Sequence, residues 1–445
     1  MKIDYKRYLP ALTDAIVLVI IMLYIAEKMQ WPLLFTKTTA TGGDMASHYP
    51  TAAYLKNVLL PKGRMMGWYP GNFCGFPLFQ FYFPLPFLAI VFLSFIIPMQ
   101  ISFKLISVLG VFLLPLCAYI SMRLARQKFP APALAAIFSL AFLFSEGNSM
   151  WGGNILSNLA GEFSFQISFC LSIVFLFSIY RNIKGSRYVI ANGLLLGIIG
   201  LCHGVGLIFA VLVPSFFLIY PIESIWKRLL YLLRIYGLSI GFMAFWFFPF
   251  LAGSKWSTKF TYLWQLSGIK EVFPEILWPF LALSVIAAIF LFMQQLYERF
   301  KKSIPFSDIL IVVVYMWFAV LVAAILFETA YELNVVDIRF LPYIELIPCL
   351  VAAAAMGYFT RFLKGIPFFV LIVLLGTGIW VNHHEKSVKS WSNWNYKGFE
   401  DKGPWAEFYQ INYFLRGNQN YPRVVYEHSP LWDRFGTTRA FENLS

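Results

Sequence analysis

The sequence predicts an all-α polytopic membrane protein, a bundle of about eleven transmembrane helices ending in a small outer tail of mixed helix and strand. Three observations carry this. Hydrophobic residues make up 59% of the 445 and charged residues only 13%, with a mean hydropathy of +0.68, against roughly 45–50% apolar content in soluble domains. Eleven apolar runs come close to the about 20 residues that a helix needs to cross the hydrocarbon. Lys and Arg, the source of the net charge of +13, gather in short clusters between those runs, as they do in cytoplasmic loops. That distribution excludes nucleic acid as a partner and points to the lipid bilayer.

The first run, 9–27, follows Lys2, Lys6 and Arg7 in the manner of a signal peptide, but no small-x-small cleavage site comes after it. It therefore stays as a helix whose amino terminus is cytoplasmic. Residues 28–102 form the first outer loop. A helix is expected from Met45 toward Asn57, and 66–98 is crowded with Pro70, Pro77, Pro84, Pro86, Pro98 and aromatic side chains, which suits an element lying in the interface. Residues 84–98 are accordingly not counted as a crossing. Runs at 103–122, 131–146 and 162–180 come next. The 34 residues of 188–221 exceed one crossing and carry glycine at 193, 197, 200, 204 and 206, so two helices, 188–203 and 205–221, are predicted with a hinge near His203. The remaining runs are 232–250, 276–296, 308–328, 341–360 and 366–382.

With these spans the clusters Arg123/Arg126/Lys128, Arg181/Lys184/Arg187, Lys227/Arg228/Arg234, Arg299/Lys301/Lys302 and Arg361/Lys364 all fall on one side. A rival topology makes 84–98 a span and 188–221 one long helix, which strands two clusters on the outer side. The composition turns polar after residue 382, so the chain divides into a membrane domain, 1–382, and an extracytoplasmic tail, 383–445. Arg423-Val-Val-Tyr426 in the tail hints at a short strand, and the tail reads as the opening of a larger domain.

Five scattered cysteines show no spacing for zinc, a disulfide frame or redox work. No GxxxxGK[ST], GxGxxG, HExxH or GxSxG motif occurs, which removes support for nucleotide-driven chemistry and hydrolase triads. The candidates are instead a few ionic residues in outer loops. Asp44, in Gly42-Gly-Asp-Met-Ala-Ser-His48, is a general base, a ligand to a divalent cation, or a cap for the helix after it, and these roles can coexist. His48 lies one turn further on and is either a substrate contact or a solvated interface histidine. Glu162 stands at the outer start of a span, where a carboxylate is expensive unless it is paired, serves function or meets a helix amino terminus. His203 at the hinge is a substrate contact or a packed histidine. In Asp337-Ile-Arg339 the arginine offers a planar fork suited to phosphate oxygens; its plain alternative is a pair with Asp337 alone.

An acid in the first outer loop, a second in the next and many spans resemble the GT-C superfamily of membrane glycosyltransferases, with Asp44 and Glu162 at the matching positions. Gly43-Asp44…His48, Trp68-Tyr-Pro70…Gly75-Phe-Pro77, Gly161-Glu-Phe-Ser, Asp337-Ile-Arg339-Phe and Trp394-Asn-Tyr-Lys-Gly398 are similar to a bacterial family of 6-pyruvoyl-tetrahydropterin-synthase-related membrane proteins. No histidine trio of the kind a zinc-dependent pterin synthase needs is present. The resemblance implies a GT-C-like bundle in the bacterial cytoplasmic (inner) membrane that moves a hexosyl or pentosyl group, with inversion, from a polyprenyl-phosphate-linked donor to a glycan, lipid or protein acceptor at the outer face. It assigns catalysis to Asp44 and Glu162, and substrate binding to His48, His203, Asp337 and Arg339. Metal-dependent GT-C enzymes often pair acids in the first loop. Here Asp44 is followed by Met-Ala-Ser, which favours the base role, and Asp44 and Glu162 are the candidate ligands for any Mg or Mn ion. The alternative function is a transporter or flippase for lipid-linked glycans, which would favour internal pseudo-symmetry and mid-membrane charges; neither stands out.

Overall fold

The computed structural model describes residues 5–220, 224–258, 260, 262–302, 307–415, 422 and 424–444. Each of the eleven apolar runs forms a helix, and eight of these helices are long and apolar enough to cross a membrane among the described residues. They begin with α1 (Tyr5–Lys28). The segment after α1 contributes α2 (Met45–Tyr54), a two-stranded antiparallel ribbon of β1 (Gly67–Tyr69) and β2 (Phe76–Leu78), and α3 (Leu85–Leu93). At about 1.5 Å per residue, the nine residues of α3 reach about 14 Å, half a bilayer core.

The bundle continues with α4 (Met99–Leu124), α5 (Ala131–Leu143) and α6 (Phe163–Asn182). Next come α7 (Val189–Cys202) and α8 (Gly204–Leu212), separated by His203 in an extended conformation, so the glycine-rich run bends where the sequence suggests. Then follow α9 (Ile225–Gly253), α10 (Trp278–Lys302), α11 (Asp308–Thr329), α12 (Leu341–Thr360) and α13 (Ile366–His384). α4 packs along α6 and α5, α7 along α9, and α12 along α5 and α11. α5 is buried at every position, because small alanines let its neighbours close in; a Cβ on Gly357 of α12 would sit 2.5 Å from that of Ala131.

The polar tail departs from expectation. Its described residues hold helix, α14 (Val388–Lys397) and α15 (Trp405–Leu415), and short 3₁₀ turns, with no strand. Arg423 lies outside the described residues. Val424, Val425 and Tyr426 find no partner edge: Val425 is 78% exposed, while the Tyr426 ring stacks on Phe73 at 4.8 Å, so side-chain packing replaces a ladder. A second apolar cluster of Phe399, Phe408, Phe435 and Phe441 holds the tail together and reaches Ala46 of α2.

Helix direction separates two ends. α6 and α12 start next to Glu162 and Arg339 and finish about 30 Å away at Arg181 and Arg361. At that far end Arg181 donates to the Arg123 carbonyl, Arg126 lines a crevice with Lys128 and Arg361, and Arg228 donates to the carbonyls of Phe217 and Tyr220. The basic clusters thus collect at the end away from Glu162 and Arg339.

Candidate active site

The site is built where two turns touch. The Asp44 amide donates to the Ala160 carbonyl at 2.8 Å, and the Asp44 carbonyl accepts from Ser47 and His48, starting α2. Glycine is required on both sides. Gly43 has φ +46° and a Cβ there would meet the Ala160 carbonyl oxygen at 2.2 Å; Gly161 has φ +115° and a Cβ there would meet the Asp44 Cβ at 2.8 Å. Asp44 makes no side-chain cap. Its Oδ1 accepts from Arg439 Nη1 of the tail at 2.5 Å, and the side chain keeps 41% exposure.

The second turn is shaped by Asn154, whose amide donates to the carbonyls of Ser145 and Asn148 at 2.8 Å and whose Oδ1 accepts from the Ser157 amide at 2.9 Å. This delivers Glu162 to the start of α6, where its Oε1 accepts from Arg339. Arg339 also donates to the Met150 carbonyl and lies over the Phe165 ring. Burial pushes the Glu162 carboxyl above its usual range; Arg339 pulls it back and Asp44 pushes it further up. Asp44, Glu162 and Arg339, distant in sequence, are therefore brought close together.

The other candidates sit differently. Asp337 does not pair with Arg339: its Oδ2 accepts from the Trp264 amide at 2.8 Å and its Oδ1 from the Ile338 amide at 2.7 Å, which fixes the turn that aims the arginine. His48 packs among Tyr82, Phe87 and Phe163, with centroids 5.4–5.6 Å away, and burial lowers its pKa to about 4. His203 caps α8 by accepting from the Val205 amide at 3.2 Å, while its ring lies 4.4 Å from Phe83 and 5.2 Å from Phe165; burial also keeps it neutral. Tyr82 is close enough to Glu162 and Asp44 that both raise its pKa, after burial. The aromatic segment carrying Tyr82 is fixed by Trp246 of α9, whose indole donates to the carbonyls of Phe79 and Tyr82.

Arg439 is the residue that sequence reasoning missed. It joins Asp44 from 395 positions away and donates through Nε to Glu442 at 2.9 Å. Asp44 is paired to Arg439 and Glu162 to Arg339. Among the described residues no three His, Cys, Asp or Glu side chains gather as a cation site.

Residues 79–390 match the family described as a 6-pyruvoyl-tetrahydropterin synthase related domain, membrane protein. The chain belongs to that family. No curated protein matches this family member in sequence. Its fold is GT-C-like and is similar to the oligosaccharyltransferase of Archaeoglobus fulgidus in the apo form, at TM-score 0.56 and 13% identity over 99% of this chain and 64% of that one. The same holds for Archaeoglobus fulgidus AglB in complex with an inhibitory peptide and a dolichol-phosphate, at TM-score 0.55, 12% identity and the same coverage. ArnT from Cupriavidus metallidurans bound to undecaprenyl phosphate gives TM-score 0.52 and 14% identity over 95% of this chain and 84% of that one. The family member thus spans 64% of the length of the archaeal structures.

Proposed function

We propose that this protein transfers a sugar from a polyprenyl-phosphate-linked donor to an acceptor hydroxyl at the outer face of the cytoplasmic membrane. One observation carries the reading: Asp44, Glu162 and Arg339 lie close together at the end of the bundle away from the basic clusters. Basic loops stay in the cytoplasm, so charge bias turns this end outward. The AglB complex carries a dolichol-phosphate and ArnT carries undecaprenyl phosphate, which supports a prenyl phosphate as the carrier here.

In this mechanism the acceptor oxygen attacks the anomeric carbon and its proton passes to Asp44. The bond from that carbon to the phosphate oxygen breaks, and the electron pair leaves with polyprenyl phosphate. Arg339 steadies the leaving phosphate, Glu162 orients the acceptor, and one-step displacement inverts the anomeric centre. Asp44 becomes available when Arg439 lets go, and Arg439 retains Glu442 as a partner as it does so. The ribbon and α3 seat the prenyl chain, for which Phe92, Phe95 and Ile96 offer exposed apolar side chains.

The test is Asp44→Asn in the purified full chain, supplied with undecaprenyl-phosphate-linked hexoses and pentoses. Loss of a base predicts a fall in turnover of about 10²–10⁴-fold with unchanged membrane insertion. Undiminished turnover removes Asp44 from the mechanism.

A further inference from the structure

We propose that Asn395 is a positioning residue that clamps the 41–44 turn to the 159–162 turn and so sets the gap between Asp44 and Glu162. Asn395 is fully buried. Its carbonyl accepts from the Thr41 amide at 3.0 Å and its side-chain amide donates to the Leu159 carbonyl at 2.7 Å. One residue of the tail therefore holds both acid-bearing turns, three residues from each acid. The fit leaves no slack: Gly42 has φ +90°, and a Cβ there would lie 1.9 Å from Asn395 Oδ1.

The surrounding motif explains why this asparagine is rigid. The Tyr396 carbonyl accepts from the buried Lys104 ammonium at 2.8 Å and from the Thr38 hydroxyl at 2.9 Å. Trp394 donates to the Gly436 carbonyl at 3.0 Å while Lys402 lies 3.9 Å over its ring. The Phe399 amide donates to the Thr39 carbonyl at 3.1 Å, and Glu400 accepts from the Thr39 amide and hydroxyl. Trp394-Asn-Tyr-Lys-Gly398 is thus spent on anchoring, with Asn395 at its centre. The bond to Thr41 belongs to the backbone of residue 395 and the bond to Leu159 to its side chain; a buried amide nitrogen that has exchanged water for that carbonyl fixes position, because leaving the bond unmade costs its desolvation.

The inference rests on the reading of Asp44 and Glu162 as the working acids, and the test separates the two. Hydrogen exchange on the full chain in detergent needs no substrate. Asn395→Ala keeps the backbone bond to Thr41 but removes the side chain that holds Leu159 and sits against Gly42; it is expected to speed exchange at least about 10-fold at amides 41–48 and 157–162 and to leave the 166–180 stretch of α6 protected. Turnover of undecaprenyl-phosphate-linked sugar is expected to fall about 10²-fold in kcat with KM within about twofold, because misplacing a reacting group by about 1 Å has that effect. Gly42→Ala should reproduce the loss, and the double variant should lose no more than the worse single one, since the two changes act on one contact.

Unchanged exchange at both turns overturns the clamp. Faster exchange with wild-type kcat overturns its role in positioning. If Asn395→Ala does not fold, the Gly42→Ala variant decides by the same two readouts. If Asp44→Asn retains full turnover, the functional reading fails and the clamp is judged on exchange alone.

Discussion

Replacing Arg339 by Met keeps the aliphatic bulk and removes the cation, which leaves Glu162 desolvated and unpartnered. The pair is mostly out of water, with side-chain exposures of 11% for Arg339 and 20% for Glu162. Breaking a buried ion pair from one side costs about 3–5 kcal/mol, and the remaining exposure of Glu162 places this case near the lower end, about 3 kcal/mol at pH 8. Burial already holds the Glu162 carboxyl above its usual range, and Arg339 restrains it, so the variant moves it higher. A carboxyl raised on folding gives up stability as pH climbs through its folded value. The deficit should therefore be largest at pH 8 and shrink as pH falls and Glu162 takes up its proton, which leaves only the lost hydrogen bonds, about 1 kcal/mol. Unfolding midpoints in detergent at pH 5, 6.5 and 8, for Arg339→Met, Glu162→Gln and the double variant, read this directly. The double variant should be more stable than Arg339→Met at pH 8. A deficit that is flat with pH, or single losses that simply add, would refute the account of the pair.

Two further outcomes follow from groups around the site. His48 is held neutral with a pKa near 4, so the folded protein loses stability as pH falls from about 6.5 toward 4; His48→Phe should flatten that part of the pH–stability curve, and an unchanged slope would locate its source elsewhere. The Lys104 ammonium donates to the carbonyls of Leu33, Thr36 and Tyr396 and the hydroxyls of Thr36 and Thr38. Lys104→Met strips these oxygens of their donor and should lower the unfolding midpoint by the equivalent of about 3 kcal/mol, with a wild-type midpoint counting against the anchoring argument.

The spans were legible because length and apolarity are local quantities: every run from 9–27 to 366–382 contains its helix. The His203 hinge was legible for the same reason, since 34 residues with five glycines cannot stay one crossing. Asp44, Glu162 and Arg339 stood out because charge is scarce in so apolar a chain. Their partners did not. Arg439 and Asn395 lie in an ordinary polar tail, and only tertiary docking brings them to the first loop; the one local trace was the Trp394–Gly398 motif, whose aromatic, amide and glycine mix signals a turn without saying what it binds. The tail strand failed because an alternating pattern specifies a strand only when an edge is available, and here rings on Phe73 and Phe441 take its place.

The crossing helices differ in what surrounds them. Of their apolar windows, 78% in α6 and 89% in α12 are buried, against 17% in α13, 22% in α9 and 28% in α1. Lipid therefore touches the rim and hardly reaches the two helices that begin beside Glu162 and Arg339. Thickening or thinning the bilayer would be absorbed by tilt of α1, α9 and α13, each modestly costly, while the central pair keeps its register. Cells could remodel their fatty acids with temperature and leave the spacing of these charges untouched.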